Sequence, residues 1–137
     1  MSWDIFVQDL PPNIRTVAEI PDTFQPRPLG KRADLIRRIK EFAAPVDFSD
    51  PSWGLFEAPT FSVEFNLGEA DVLQGFALHV RGDDAAAGFV SELLSHLDFR
   101  ALDPQSDSGL FEAGRVAEAS LQRWREYRNR VIPPRAV

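Results

Sequence analysis

The sequence predicts an α+β fold. The expected form is a single two-layer domain over 1–137, with a mostly antiparallel sheet around a central three-stranded meander and helices packed on one face. Three observations predict it. Apolar residues alternate with polar ones through Phe61, Val63, Phe65 and Leu67, and again through Phe76, Leu78 and Val80, the two-residue period of half-buried strands. Other stretches carry the i, i+3, i+4, i+7 spacing of amphipathic helices. The order of the elements, β-α-β-β-β-α-β-α, sets the meander between helices, so its second face is left wet.

Along the chain, Trp3 to Gln8 alternates and reads as a strand, ended by Asp9-Leu10-Pro11-Pro12. Five prolines between Pro11 and Pro28 disfavour a regular helix or a central strand there. Ile14, Val17, Ile20 and Phe24 are too apolar for a free linker, so residues 11–28 are expected to run extended and pinned to the surface. Leu29 to Ala44 reads as the first helix, with Leu35, Ile36, Ile39, Phe42 and Ala43 as its stripe, Gly30 as its N-cap and Pro45 as its stop. Asp47 to Ser52 has the composition of a loop, and Gly68 to Asp71 that of a turn.

Trp53 to Glu57 is the first meander strand, followed by those of Phe61 and Phe76. A second helix spans about Asp84 to Leu97, with Phe89, Val90, Leu93, Leu94 and Leu97 on one side and Asp83 or Asp84 as its cap. Phe99 to Leu102 reads as a short strand and Asp103 to Gly109 as a loop. Ala113 to Val131 reads as the third helix, with Val116, Leu121, Trp124 and Val131 inward and Pro133-Pro134 as its stop.

Composition excludes several chemistries. The 137 residues contain no cysteine, so disulfides, zinc–thiolate sites, iron–sulfur clusters and thiol catalysis are out. The two histidines, His79 and His96, lie on different elements without metal-ligand spacing, so neither a metal nor a cofactor is expected. No apolar run approaches a membrane span, and the start Met-Ser-Trp-Asp lacks leader character; a cytoplasmic protein is the expectation. A preference for arginine over lysine hints at a GC-rich bacterial source.

Charge is divided. Residues 1–111 carry 18 acids and 9 bases, net −9, whereas 112–137, the basic C-terminal helix, carry 3 acids and 6 bases, net +3. Arg123-Trp124-Arg125 to Arg130 is the one basic aromatic stretch, but Trp124 falls on the apolar stripe and the body is acidic, which argues against nucleic acid. Lys31 and Arg32 at a helix start oppose the dipole and pose the question of a bound anion. Arg81-Gly82-Asp83 spells the integrin-adhesion tripeptide, yet at a strand-to-helix junction it reads as a turn glycine followed by a helix cap.

The wet face of the meander holds the candidate binding residues: Glu57, Glu64, His79 and Arg81, with Trp53 at a loop–strand edge. Matching the apolar faces of the two best strands leaves two registers. One sets Ser62 opposite His79 and Glu64 opposite Ala77; the other sets Glu64 opposite His79 and Ser62 opposite Arg81. Both gather Glu64, His79 and Arg81. These residues could serve acid–base chemistry in a small enzyme or ligand binder, the carboxylate orienting the imidazole and the guanidinium holding an anion. They are also ordinary cross-strand pairs of a solvated face. Trp53 reads either as core or as an interface anchor. Acidic charge and the lack of any catalytic motif favour a non-catalytic protein-binding domain that takes a basic protein partner, as a bacterial immunity protein neutralises a toxin.

Overall fold

The computed structural model describes residues 2–131. It is an α+β architecture built on one six-stranded, wholly antiparallel sheet. The strands are β1 (Trp3–Gln8), β3 (Asp47–Asp50), β4 (Trp53–Glu57), β5 (Phe61–Asn66), β7 (Gly75–Gly82) and β8 (Arg100–Leu102), in spatial order β3-β4-β5-β7-β1-β8. The helices are α1 (Arg32–Phe42), α2 (Ala85–Leu97) and α3 (Arg115–Val131). A separate two-stranded ladder joins β2 (Gly30–Lys31) to β6 (Val72–Leu73). The N-terminal strand is internal, hydrogen-bonded to β7 on one side and β8 on the other.

Alternation dictates the layering. Trp3, Ile5 and Val7 of β1, Val63 and Phe65 of β5, and Phe76, Leu78 and Val80 of β7 are buried on one face. Leu35 and Ile39 of α1, Val90, Leu93 and Leu97 of α2, and Ala117, Leu121 and Trp124 of α3 belong to the same core. All three helices therefore cover one face of the sheet. Phe42, Phe56, Phe61 and Phe89 close the β4–β5 end of that layer, with Phe56 stacked on Phe89 at 4.6 Å. None of the described helices is long and apolar enough to cross a membrane.

Several expectations are corrected. Gly30 is not the N-cap of α1. Leu29 N–H donates to Leu73 O at 2.8 Å and Gly30 pairs with Leu73, so the chain is still extended there and the helix starts at Arg32. Asp47–Asp50 is an edge strand rather than a loop. Its aspartates do form turn-type bonds, to Ser49 and Ser52, and the ladder to β4 is irregular between them. The cap of α2 is divided: Asp83 Oδ1 accepts the Ala85 N–H at 3.1 Å, while Asp84 is ion-paired with Arg125. In α3 the inward residue of the first turn is Ala117, and Val116 is 39% exposed. The side chain of Val131 and the Pro133-Pro134 stop lie outside what the structure describes.

Residues 11–28 do run over the surface, with one short 3₁₀ turn at Val17–Glu19. They are tied down by Val17 N–H to Ser108 O at 2.8 Å and by Arg27 N–H to Asp9 Oδ2 at 2.9 Å. At Gly82 φ is +127°, and a Cβ there would run into the Thr60 carbonyl and the backbone of Phe61. Glycine in Arg81-Gly82-Asp83 is thus required by the strand-to-helix turn itself.

Candidate functional site

The face of the sheet away from the helices carries Asp4, Phe6 and Gln8 from β1, Trp53, Leu55 and Glu57 from β4, Ser62, Glu64 and Asn66 from β5, and Ala77, His79 and Arg81 from β7. Of the two registers left open by the sequence, the structure adopts the one with Glu64 opposite His79 and Ser62 opposite Arg81. Three rows then cross the sheet. Leu55, Glu64, His79 and Asp4 form one; Trp53, Asn66, Ala77, Phe6 and Leu102 a second; Glu57, Ser62 and Arg81 a third.

Glu64, His79 and Arg81 are brought together, but not as one group. Arg81 Nη1 lies 3.4 Å from Glu64 Oε1, while His79 Nδ1 bonds Asp4 Oδ1 at 2.7 Å. His79 Nε2 faces Asn66 Nδ2 at 3.5 Å, and Ser2 also donates to Asp4. The Trp53 indole stacks on the imidazole, with ring centroids 5.4 Å apart and planes 20° from parallel. Trp53 is thus no core residue: it is 40% exposed and roofs His79. Glu57 is exposed and shares the row of Ser62 and Arg81.

Asp4 is the functional neighbour that sequence reading missed. The signal was present: with Trp3, Ile5 and Val7 inward, any antiparallel pairing of β1 with β7 that matches apolar faces sends Asp4 to the face of His79. What was lacking was the adjacency of two strands separated by most of the chain. Phe6, 40% exposed in the same strand, was missed for the same reason.

The imidazole is held rather than poised. One ring nitrogen is committed to a carboxylate, the other faces an amide, and one ring face lies under an indole. A shallow depression of about 370 Å³ on this face is lined by Phe6, Asn66, Gly68, Gly75 and Ala77, not by His79 or Glu64. No group of three or more metal-ligating side chains gathers among the described residues.

The margin formed by β3 is acidic. Asp47 lies across the ladder from Leu55, and Asp50 from Trp53. The Ser49 hydroxyl and backbone N–H donate to Asp47 Oδ1 at 2.6 and 2.8 Å, and Ser52 does the same for Asp50 at 2.7 and 2.9 Å. These bonds hold both carboxyls below their ordinary value, so both stay ionised well into the acid range.

The N-terminus of α1 offers an anion little. Arg32 N–H donates to Asp71 O at 2.8 Å and the Arg32 guanidinium to Gly68 O at 3.0 Å. On α3, Trp124 is buried beneath the Arg128 guanidinium, 5.0 Å from its ring, so its indole presents no open face for base stacking. A half-open cavity of about 310 Å³ between α3 and the preceding loop is lined by Ser106, Ser108, Glu112, Ser120 and Arg123. His96, in the last turn of α2, packs against the Phe42 ring at 5.6 Å.

No protein-family model matches the chain, and comparison with curated proteins and with solved structures returns no match.

Proposed function

We propose that this chain is a non-catalytic protein-binding domain that receives a basic protein partner on the uncovered face of its sheet. The observation that carries the proposal is the one-sided packing. Every described helix lies on one face, and the other presents Trp53 and Phe6, each 40% exposed, among carboxylates. Half-exposed rings on a rigid sheet are the usual anchors of an interface. Net charge −6 and the acidic β3 margin favour a basic partner. Toxin neutralisation by an immunity protein is one biological form of such binding. The absence of cysteine and the preference for arginine support a bacterial, cytoplasmic setting.

A second proposal, a small enzyme or ligand binder using Glu64, His79 and Arg81, has the 2.7 Å His79–Asp4 bond in its favour. The roofed imidazole and the shallow face weigh against it.

Affinity capture from the native organism, read by mass spectrometry, tests the binding function. A single stoichiometric basic protein should be retained by wild type and by a Tyr127→Ala control on α3, and lost with Phe6→Ala/Trp53→Ala. Repeated absence of any partner, or a partner indifferent to the double substitution, overturns it. If an activity is found instead, its survival in His79→Ala removes the enzyme proposal.

A further inference from the structure

We propose, building on the basic-partner proposal above, that the partner contributes an arginine whose guanidinium lies flat on the outer face of the Trp53 indole and pairs with Asp50. The inner face of the indole is occupied by His79 at 5.4 Å, so the ring's exposure belongs to its other side. Its plane is fixed in advance. His79 is bound to Asp4 and faces Asn66, and the indole rests on that imidazole, so the ring loses little freedom when something settles on it.

The chemistry around the ring selects a cation. Asp50 is the direct cross-strand neighbour of Trp53, and Asp47 that of Leu55, so both carboxylates border the same face. In each, the turn bonds from serine engage Oδ1. The second oxygen of Asp50 is the one that would receive a guanidinium N–H. Glu57 extends the acidic border along β4, while Glu64 is already paired with Arg81. Arg32, the cation whose charge acts on Asp50, has its guanidinium on the Gly68 carbonyl and forms no ion pair with Asp50 among the described residues.

The same geometry prefers arginine to lysine. A guanidinium is planar and weakly hydrated, stacks on an aromatic face, and presents in-plane N–H groups to a carboxylate at the ring's edge. An ammonium offers a strongly hydrated point charge with no plane to match.

The probes are two capped octapeptides, alternating glycine–arginine and alternating glycine–lysine, titrated at about 50 mM salt, where surface charge is weakly screened, with affinity in wild type and every variant read from amide chemical shifts by NMR. Acrylamide quenching of tryptophan fluorescence reads out Trp53 selectively, because Trp3 and Trp124 are 0% and 3% exposed. The arginine peptide should bind about two- to fivefold tighter than the lysine peptide and shield Trp53 from the quencher. Trp53→Ala should erase that preference, Trp53→Phe should keep part of it, and Asp50→Asn should weaken the arginine peptide more than the lysine one. Thermal melts establish that each variant is folded, and Trp53→Phe carries the test if Trp53→Ala is not. Equal binding of the two peptides, a preference that survives Trp53→Ala, or binding without shielding overturns the arginine proposal alone. Failure of both peptides to bind at millimolar concentration overturns the basic-partner proposal with it.

Discussion

Asp103 is fully buried, and its Oδ1 accepts two hydrogen bonds at 3.0 Å, from the Trp3 indole and from the Gln105 backbone N–H. One of these joins the first strand of the sheet to a loop one hundred residues later. The same loop is closed by the Ser106 hydroxyl on Leu110 O at 2.8 Å and by Phe111 N–H on Ala101 O at 2.9 Å. A buried donor that loses its acceptor costs about 1–3 kcal/mol, more than the bond was worth net. Asp103→Ala strands one such donor, the Trp3 indole N–H, while the part-buried Gln105 N–H can turn to water, and its urea midpoint should fall by an amount equivalent to about 1–3 kcal/mol. Asp103→Asn keeps an oxygen at the Oδ1 position and should lose less than half of that. Equal losses in the two variants would show that the buried volume, and not the bonds to Trp3 and Gln105, sets the cost. Nothing in the sequence singled out Asp103, which stands among turn formers. Its partner, Trp3, is remote in the chain, and burial of an aspartate has no periodic signature.

At the scale of elements, α3 decides whether the basic C-terminal segment is a docking arm or part of the fold. Ala117, Leu121 and Trp124 follow i, i+4, i+7 and are all buried against the core. Arg125 pairs with Asp84 at the start of α2, and Arg123 Nη1 donates to Asp107 at 3.0 Å and Gln105 O at 2.8 Å. Arg123 and Asp107 are well exposed, so that pair adds little, and the apolar stripe does the holding. Leu121→Ala should therefore destabilise by about 2–5 kcal/mol in chemical unfolding, and removal of 112–137 should give an insoluble product. A soluble, cooperatively melting truncation would make α3 an appendage. Elements with a strong period were legible beforehand: β1, β5, β7, α1 and α2 lie within a few residues of where alternation and helical stripes put them. β2 and β6 were not, because two-residue ladders carry no period. β3 was hidden because Asp47 and Asp50 accept turn bonds from Ser49 and Ser52 while also pairing across the ladder with β4. The phase of α3 was misjudged at Val116 because its inward position is filled by alanine, the weakest of apolar signals.

For the molecule as a whole, the question is what an antiparallel sheet covered on one side leaves on the other. The candidate cluster Glu64, His79 and Arg81 was legible because alternation alone fixes which residues share a face. Its division into a Glu64–Arg81 pair and an Asp4–His79–Trp53 stack was not, because that depends on β1 entering the sheet beside β7. The result is a face with two separable properties. Phe6 and Trp53 sit three strands apart, about 14 Å at ordinary strand spacing, and offer apolar contact. Asp47, Asp50 and the net charge of −6 offer a field. Long-range charge acts before contact and governs the approach of a partner, whereas buried rings act after contact and govern its escape. Once the partner is in hand, Asp47→Asn/Asp50→Asn should therefore lower the association rate constant and flatten its salt dependence, while Asp47→Asn alone, which removes charge without removing the Asp50 contact, should change dissociation little. Phe6→Ala/Trp53→Ala should leave association within about twofold and speed dissociation by about tenfold or more. Surface-plasmon or stopped-flow traces over a salt series separate the two effects. If the ring substitutions slowed association instead, or the aspartate substitutions left both rates and their salt dependence unchanged, the binding surface would have to lie elsewhere on the molecule.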